Sequence, residues 1–463
     1  MSMREPLFAT LPRPRPMPLA GRRVLVLGLG ESGLAAARWA SQEGARVLVA
    51  DSRESPPGRA GWNGEFRGGA FDAALLADVD LLCLSPGLAL SEPVVLDARA
   101  RGIPVVGEIE LFAWAVRGRS DARVLAVTGT NGKSTVTALA GHLLASAGLD
   151  AAVAGNISPA ALDALRSRER RPPRFWVLEL SSYQLETTWS LEPEAAVMLN
   201  LSEDHLDRYA GLAEYGAAKA RIFLGRGAQV LNRADAASMA QAIPGRAQVT
   251  FGTDAPPLAE DWGLVSHDGQ PWLARGPERL LPVAELPLAG LHNAANALAA
   301  CALAAHAGVP LQALATGLRS FRGLPHRMER VAVHRGVEWL DDSKGTNVGA
   351  TVAALRGLPR KAVLILGGVG KGQDFSPLAP AVRERATHVL LLGRDAPQIA
   401  RALAGTGVPL EDCASLEDAV RRAAALARPG EAVLLSPACA SFDMFRDYKQ
   451  RGEAFAALAR ALG

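Results

Sequence analysis

Short apolar runs alternate along this chain with longer alanine- and leucine-rich stretches of helical period, and glycine, serine or asparagine tends to follow each run. That rhythm of strand, turn and helix predicts parallel sheets covered by helices. In the first third the strands are expected over 23–28, 46–50, 80–84 and 104–106, with a helix reaching Ala40 after the first and another over 108–116. The middle third carries apolar runs over 124–127, 152–156, 175–180 and 195–199, then a weakly patterned region over 266–282, and an alanine-rich helix over 294–307. After the Gly/Pro punctuation of FRGLPHR, Phe321–Arg327, the rhythm returns with strands over 337–340, 362–366, 388–392 and 432–435.

A chain of 463 residues is too long for one core, and about three domains are expected. The divisions predicted are a disordered Pro-rich arm over 1–20, then domains over 21–118, 119–327 and 328–463. The fold class is α/β: a Rossmann-like N-terminal sheet, a central P-loop-type domain and a Rossmann-like C-terminal domain.

Charge changes the picture by exclusion. A net charge of +3 from 50 basic and 47 acidic side chains leaves no general basic field, so neither nucleic acid nor a membrane surface is an expected partner. Cys83, Cys301, Cys413 and Cys439 lie far apart, which argues against a zinc site or a disulfide framework and fits a reducing cytoplasm. The first residues lack the apolar core of a signal peptide, and no apolar run is long enough to span a bilayer.

Chemistry concentrates at TGTNGKST, Thr128–Thr135, between an apolar strand and a helix. Gly129 and Gly132 let the backbone of Thr130 and Asn131 turn its N–H groups inward, and the following helix adds the positive end of its dipole. A polyphosphate is the expected occupant, with Lys133 reaching its outer charges and Ser134, next to Thr135, placed to join the shell of a Mg²⁺. The turn is shorter than the usual P-loop spacing.

The first strand runs into GLGESG, Gly28–Gly33, and the second ends at Asp51. Three readings fit: a nicotinamide dinucleotide with Asp51 on its ribose, a plain βα unit whose glycines only allow close packing, or a different nucleotide whose diphosphate is cradled there. The later motifs favour the third. Ser85–Gly87, SPG, stands at a strand end where open α/β sheets bind ligands.

Further strand ends carry polar groups. Asn156 points towards the phosphate loop. Glu179 interrupts a buried strand and needs a partner, which a Mg²⁺ would supply, although an Arg or a helix N-terminus would serve as well. NLSEDHLDRY gathers Asn200, Glu203, Asp204, His205 and Asp207 beside the same place. Lys219 reads from its own sequence as a surface lysine, and Asn293 as an N-cap. Lys344, Thr346, Lys371 and Ser441, at successive strand ends of the last third, suit a small carboxylated ligand.

GTNGKST, LELSSYQLE, NLSEDHLDRY, GLPHR, DDSKGTN and LSPACASFDMF, in this order, resemble the Mur ligases of peptidoglycan synthesis, from about Gly21 to the end of the chain. The last two motifs resemble the branch that adds D-glutamate to UDP-N-acetylmuramoyl-L-alanine. That resemblance implies a UDP-binding first domain, an ATP-binding central domain and an amino-acid-binding last domain in a cytoplasmic, ADP-forming ligase, expected as a monomer. It implies that Gly30, Ser32, Asp51, Ser52, Arg53, Ser85, Gly87 and Asn156 surround the UDP substrate. Gly129 to Thr135, Asn293, Arg327 and Asp342 would bind ATP, and Lys344, Thr346, Lys371, Ser441 and Phe442 would bind D-glutamate. Lys133, Glu179, His205 and Lys219 would be catalytic, with Ser134, Glu179, His205 and a carbamylated Lys219 serving Mg²⁺. Tyr448 stands where a Phe wall is more usual, and Val369 is less polar than in relatives. A sibling ligase or a folate polyglutamating enzyme shares the central motif. A nicotinamide oxidoreductase would leave TGTNGKST unexplained, and a nucleotide switch needs no amino-acid site.

Overall fold

The computed structural model of the chain describes residues 7–10, 12–118, 121–205, 208–288 and 290–462. Strands such as Arg123–Thr128 and Phe175–Glu179 are buried along nearly their whole length, as strands covered by helices on both faces must be. Three sheets result.

The first sheet is wholly parallel, in the spatial order Glu65–Gly68, Arg46–Asp51, Arg23–Leu27, Leu81–Leu84, Val105–Val106. Its order reverses beside the first strand, so the crevice opens at GLGESG and Ser85. The second sheet has nine strands; Arg123–Thr128 lies between Ala195–Met198 and Phe175–Glu179, with Ala151–Gly155 at the edge. The third has six, with Val337–Asp341 and Ala432–Leu435 parallel neighbours. These are the α/β layers the sequence predicts.

Two stretches differ from expectation. The weakly patterned region over 266–282 belongs to an antiparallel meander, Trp262–His267, Gln270–Arg275 and Glu278–Pro282, that extends the second sheet. Cross-strand pairs such as Leu264 with Leu273 and Val265 with Trp272 hold it, a signal the local periodicity does not show. The arm expected to be disordered over 1–20 is anchored in its described part. Leu7–Thr10 is helical, Phe8 and Leu19 are buried, and Arg99 donates to the Thr10 hydroxyl at 3.0 Å. Apolar side chains spaced through a Pro-rich segment gave it something to bury.

The first and second sheets share one apolar core. Phe112, from the helix Glu108–Arg117, meets Trp176 edge-on at 5.2 Å between ring centres. Two acids of that helix are buried at the joint. Glu110 accepts from the backbone N–H groups of Trp189 and Ser190 at 2.7 and 2.8 Å and from the Trp114 indole. Glu108 Oε1 accepts from the N–H of Leu162 at 2.6 Å, while its Oε2 is buried with no partner. Burial pushes the Glu108 carboxyl up to about 8, and Asp163 and Glu31 push it the same way against the Leu162 bond.

A carboxyl whose folded pKa lies above its unfolded value contributes stability that is full below the unfolded pKa, near 4.5, and lost as pH rises towards about 8. Thermal melts of wild type and Glu108→Gln across pH 5 to 8 should therefore diverge. The variant, which cannot ionise, gains relative to wild type as pH rises; parallel curves would show that Glu108 does not titrate at this joint.

Candidate active site

The strand Arg123–Thr128 ends in the loop that the sequence marks for phosphate, and the helix Lys133–Ser146 starts directly after it. Gly132, the residue before the helix, has φ of 84°, and a Cβ there would come within 2.5 Å of the Asn296 side chain. Only glycine fits. Lys133 Nζ donates to the carbonyls of Gly129 and Thr130 at 2.9 and 2.8 Å, so its charge is folded over the loop it belongs to. Burial lowers its pKa, with Glu179 and Asp204 opposing.

Lys219 is the main departure from its reading as a surface lysine. It is 1% exposed, its Nζ donates to Gly129 O at 2.8 Å, and the ammonium lies 4.6 Å from the centre of the Tyr215 ring. The short residues of the helix Leu212–Ala220 let that side chain reach the sheet. Burial holds its pKa well below the usual lysine range, and the charge of Lys133 pushes the same way.

Glu179, at the end of the neighbouring strand, accepts from Asn156 Nδ2 at 2.7 Å through Oε1; its Oε2 is buried with no hydrogen-bond partner. His205 has φ of 57°, and its Nδ1 pairs with the Tyr183 hydroxyl at 2.7 Å. Burial lowers the His205 pKa against the pull of Asp204. Asp207, grouped with these residues in the sequence, lies outside the described residues.

One cavity brings together Lys133, Asn156, Glu179, His205 and Lys219 with Gly87 from the first sheet and Arg327, Lys344, Thr346 and Lys371 from the third. Thr130, Asn131 and Gly132 line it as well. A second cleft beside it is lined by Thr135, Asn293, Arg327, Asp342 and Lys344. Asn293 is not the N-cap: Gly290 takes that place, and Asn293 sits in the first turn, buried, accepting from Asn296 through Oδ1. Arg327 donates to the Ser134 hydroxyl at 2.6 Å, which joins the expected linker to the phosphate loop. Asp342 accepts from Ser436 Oγ at 2.7 Å, and burial raises its pKa to about 7. Burial lowers the Lys344 pKa to about 8, helped by Arg327, and its ammonium lies 4.0 Å from the centre of the Tyr448 ring.

Other expected site residues stand apart. Ser441 is buried, whereas Phe442 is 70% exposed and lines neither cavity. Gly30, Ser32, Ser52 and Arg53 lie around the crevice of the first sheet, where Ser85 is buried. Asp51 does not offer a free carboxylate to a ribose: Oδ2 accepts from Leu29 N at 2.7 Å, Oδ1 accepts from Arg53 N at 2.9 Å, and the Arg53 guanidinium clasps both oxygens. It braces the glycine loop. A Cβ on Gly33 would lie 1.9 Å from Gly28 O, so the glycines of this loop serve its own tight turn.

Sequence reading alone did not single out several residues that hold the site. Arg451 is 1% exposed and donates to Ser343 Oγ, Ser343 O and Cys439 O, stapling the DDSKGTN loop to the SPACAS loop. His326 pairs with Asp341 at 2.7 Å next to Arg327. Tyr215 stacks under Lys219 and contacts Thr130 through its hydroxyl. Their partners are far away in sequence, so no local pattern reveals them.

Three sequence patterns match the chain: Mur ligase MurD-like N-terminal domain over residues 22–107, Mur ligase middle domain over 127–304, and Mur ligase glutamate ligase domain over 326–439. The chain belongs to the Mur ligase family. It is 56% identical to the UDP-N-acetylmuramoylalanine--D-glutamate ligase of Aromatoleum aromaticum, covering 96% of this chain and 98% of that protein. Identity to the enzyme of the same name from Nitrosospira multiformis is 53%, over 96% and 97%. Among solved structures, the UDP-N-acetylmuramate-alanine ligase MurC of Thermotoga maritima matches with a TM-score of 0.63 at 20% identity, covering 96% of this chain and 100% of that one. MurF of Acinetobacter baumannii matches with 0.61 at 17%, over 95% and 93%. At that identity these two speak for the shared fold alone, which is the three-sheet α/β arrangement described above.

In this Mur ligase the Arg451 staple carries a direct test. Arg451→Lys keeps the charge but loses the planar fork, so at least two carbonyl contacts go unmade. The denaturation midpoint should fall by an amount corresponding to about 1–3 kcal/mol. An unchanged midpoint would mean that the two loops are held otherwise.

Proposed function

We propose that the chain joins D-glutamate to UDP-N-acetylmuramoyl-L-alanine at the expense of ATP, an ADP-forming ligation in peptidoglycan precursor synthesis. What carries the reading is the single cavity where a phosphate loop, the edge of the first sheet and the lysines of the third meet, in a chain more than half identical to ligases of that name. The three sheets then correspond to three domains dividing near residues 118 and 327. No helix among the described residues is long and apolar enough to cross a membrane. A monomer acting in the cytoplasm completes the reading.

Two anions, the substrate carboxylate and the ATP γ-phosphate, must approach each other for an acyl phosphate to form and ADP to leave. Lys133 and Arg327, which both line that cavity, offset the repulsion in this reading. The amine of D-glutamate then attacks the acyl carbon, and the tetrahedral intermediate expels phosphate. Lys344, Thr346 and Lys371 hold the acceptor's carboxylates, and Tyr448 walls the Lys344 ammonium. Gly30, Ser32, Ser52, Arg53, Ser85 and Gly87 take the UDP part, Asn156 the reacting end, and Asn293 and Asp342 the adenosine end of ATP. Orientation of this kind supplies about 7 to 11 kcal/mol of barrier reduction in favourable cases.

The partnerless Oε2 of Glu179 fits a cation. Glu179 and Ser134 would hold one Mg²⁺, and His205 with Lys219 a second; when bound, such ions neutralise phosphate charge. Lys219 suits that role only as a carbamate. Its neutral amine adds to CO₂ and releases a proton, and burial, which depresses its pKa, favours that neutral form.

The reaction is tested by phosphate release from ATP with the UDP substrate, comparing D-glutamate, L-glutamate, D-alanine and no amino acid. Release that requires D-glutamate, with the ligated product, is expected. Release driven by another amino acid would overturn the acceptor assignment. For Lys219, ¹³C-bicarbonate should give a carbamate resonance that Lys219→Arg abolishes, and an intact mass showing only the free amine in active enzyme would refute the modification.

A further inference from the structure

The last residue of DDSKGTN, Asn347, makes contacts that no acceptor-binding role requires. It is nearly buried, and its side chain works in two directions. Its Oδ1 accepts from the N–H of Ala350 at 2.8 Å and so caps the helix Val348–Gly357 of the third sheet's domain. Its Nδ2 crosses to the second domain, donating to Asn131 Oδ1 in the phosphate loop at 3.2 Å and to Asp204 Oδ2, beside His205, at 3.3 Å. Asn131 is itself gripped by Asn200, whose Oδ1 accepts from Asn131 N at 2.8 Å and whose Nδ2 donates to Asn131 O at 3.0 Å. The helix start lies close against this group: a Cβ on Gly349 would be 3.2 Å from Asn131 Nδ2 and 3.4 Å from Ser202 Oγ.

We propose that Asn347 is a positioning residue that couples the occupancy of the phosphate loop to the acceptor site. Asn347 lines the same cavity as Lys133 and Lys344, and its side-chain hydrogen bonds run to its own helix, to Asn131 and to Asp204. It is one residue after Thr346 and three after Lys344, so whatever fixes Asn347 fixes the loop that presents both. A nucleotide seated on Thr130–Gly132 orders Asn131; Asn131 and Asp204 then hold the amide of Asn347, and the acceptor loop with its helix is held in the attacking geometry. The acceptor is thus bound best when the phosphate donor is in place, which limits exposure of a reactive acyl phosphate to water. The chemistry of the amide explains the residue type. Only a side chain with both an acceptor and a donor on one planar group can cap its own helix and at the same time reach two oxygens on the facing domain.

The inference rests on the ligase reading above, and the two are separable. Asn347→Ser and Asn347→Asp both keep a good N-cap, so both should fold and melt as wild type does. Serine is neutral and too short to cross. Aspartate reaches, but opposes a carboxylate and a carbonyl with a negative charge. In full-length enzyme the KM for D-glutamate should rise about tenfold in Asn347→Ser, the scale of the lost bonds to Asn131 and Asp204, and further in Asn347→Asp, while the Kd of a non-hydrolysable ATP analogue, measured without D-glutamate, changes less than about threefold. Hydrogen exchange gives a readout independent of ligation. A non-hydrolysable ATP analogue should protect residues 348–357 in wild type, and that protection should be lost in Asn347→Ser. Survival of the nucleotide-induced protection in Asn347→Ser would overturn the proposal, as would an unchanged D-glutamate KM, or an analogue Kd without D-glutamate that rises as much as the D-glutamate KM. Wild type that turns over without D-glutamate would defeat the ligase reading instead, leaving the exchange experiment to decide the coupling.

Discussion

Two ammonium groups, Lys219 buried and Lys133 half-buried, share one carbonyl oxygen: both donate to Gly129 O. Two like charges withdrawn from water repel strongly, and the arrangement persists only because backbone carbonyls, Glu179 and Asp204 lie close and because burial lowers both pKa values. That constraint shapes the loop around it. Gly129 must present its oxygen to two lysines, and its φ of 150° and its place against Leu199 leave no room for a side chain. A site so built favours a polyanion, and it favours a lysine whose amine gives up its proton easily. Phosphate binding and the modification proposed for Lys219 thus draw on one electrostatic fact.

The same fact sets what the three sheets must do. The first and second share an apolar core through Phe112 and Trp176, with the helix Glu108–Arg117 fixed by buried acids. The third has its own cores, and it meets the second through polar bonds: Arg327 to Ser134, and Asn347 to Asn131 and Asp204. Polar interfaces of this kind exchange readily with water, whereas the burial of large aromatic surface does not. The freedom to admit an acceptor therefore lies between the second and third sheets. There the contacts come from the loops that bind.

The succession of strands and helices, the phosphate loop and most polar strand ends were legible because each is a local pattern: an apolar run, a glycine turn, a helix start. Lys219 was not, since its neighbours in sequence resemble any small-residue helix, and its burial follows from packing against a strand about ninety residues earlier. Only the family resemblance marked it. Asn293 was misplaced by three residues because Gly290, with φ of 94°, starts the helix without a side-chain cap. Arg451 and His326 escaped for the opposite reason to the meander over 262–282. Their local sequence is clear, but their function is a long-range bond; the meander's local pattern is weak, and its pairing makes it a sheet.

Asp51 shows why a fingerprint can be read correctly and still point to the wrong ligand. The glycines of GLGESG report a backbone shape: Gly28 and Gly33 touch across the turn, and an acid at the end of the neighbouring strand can tie that turn down. In a dinucleotide site the acid keeps a free edge for ribose. Here both oxygens are committed to Leu29 and Arg53, so the acid serves the loop, and recognition of a nucleotide falls to the groups around it. The motif constrains the fold; the hydrogen bonds left over after the fold has taken its share constrain the ligand.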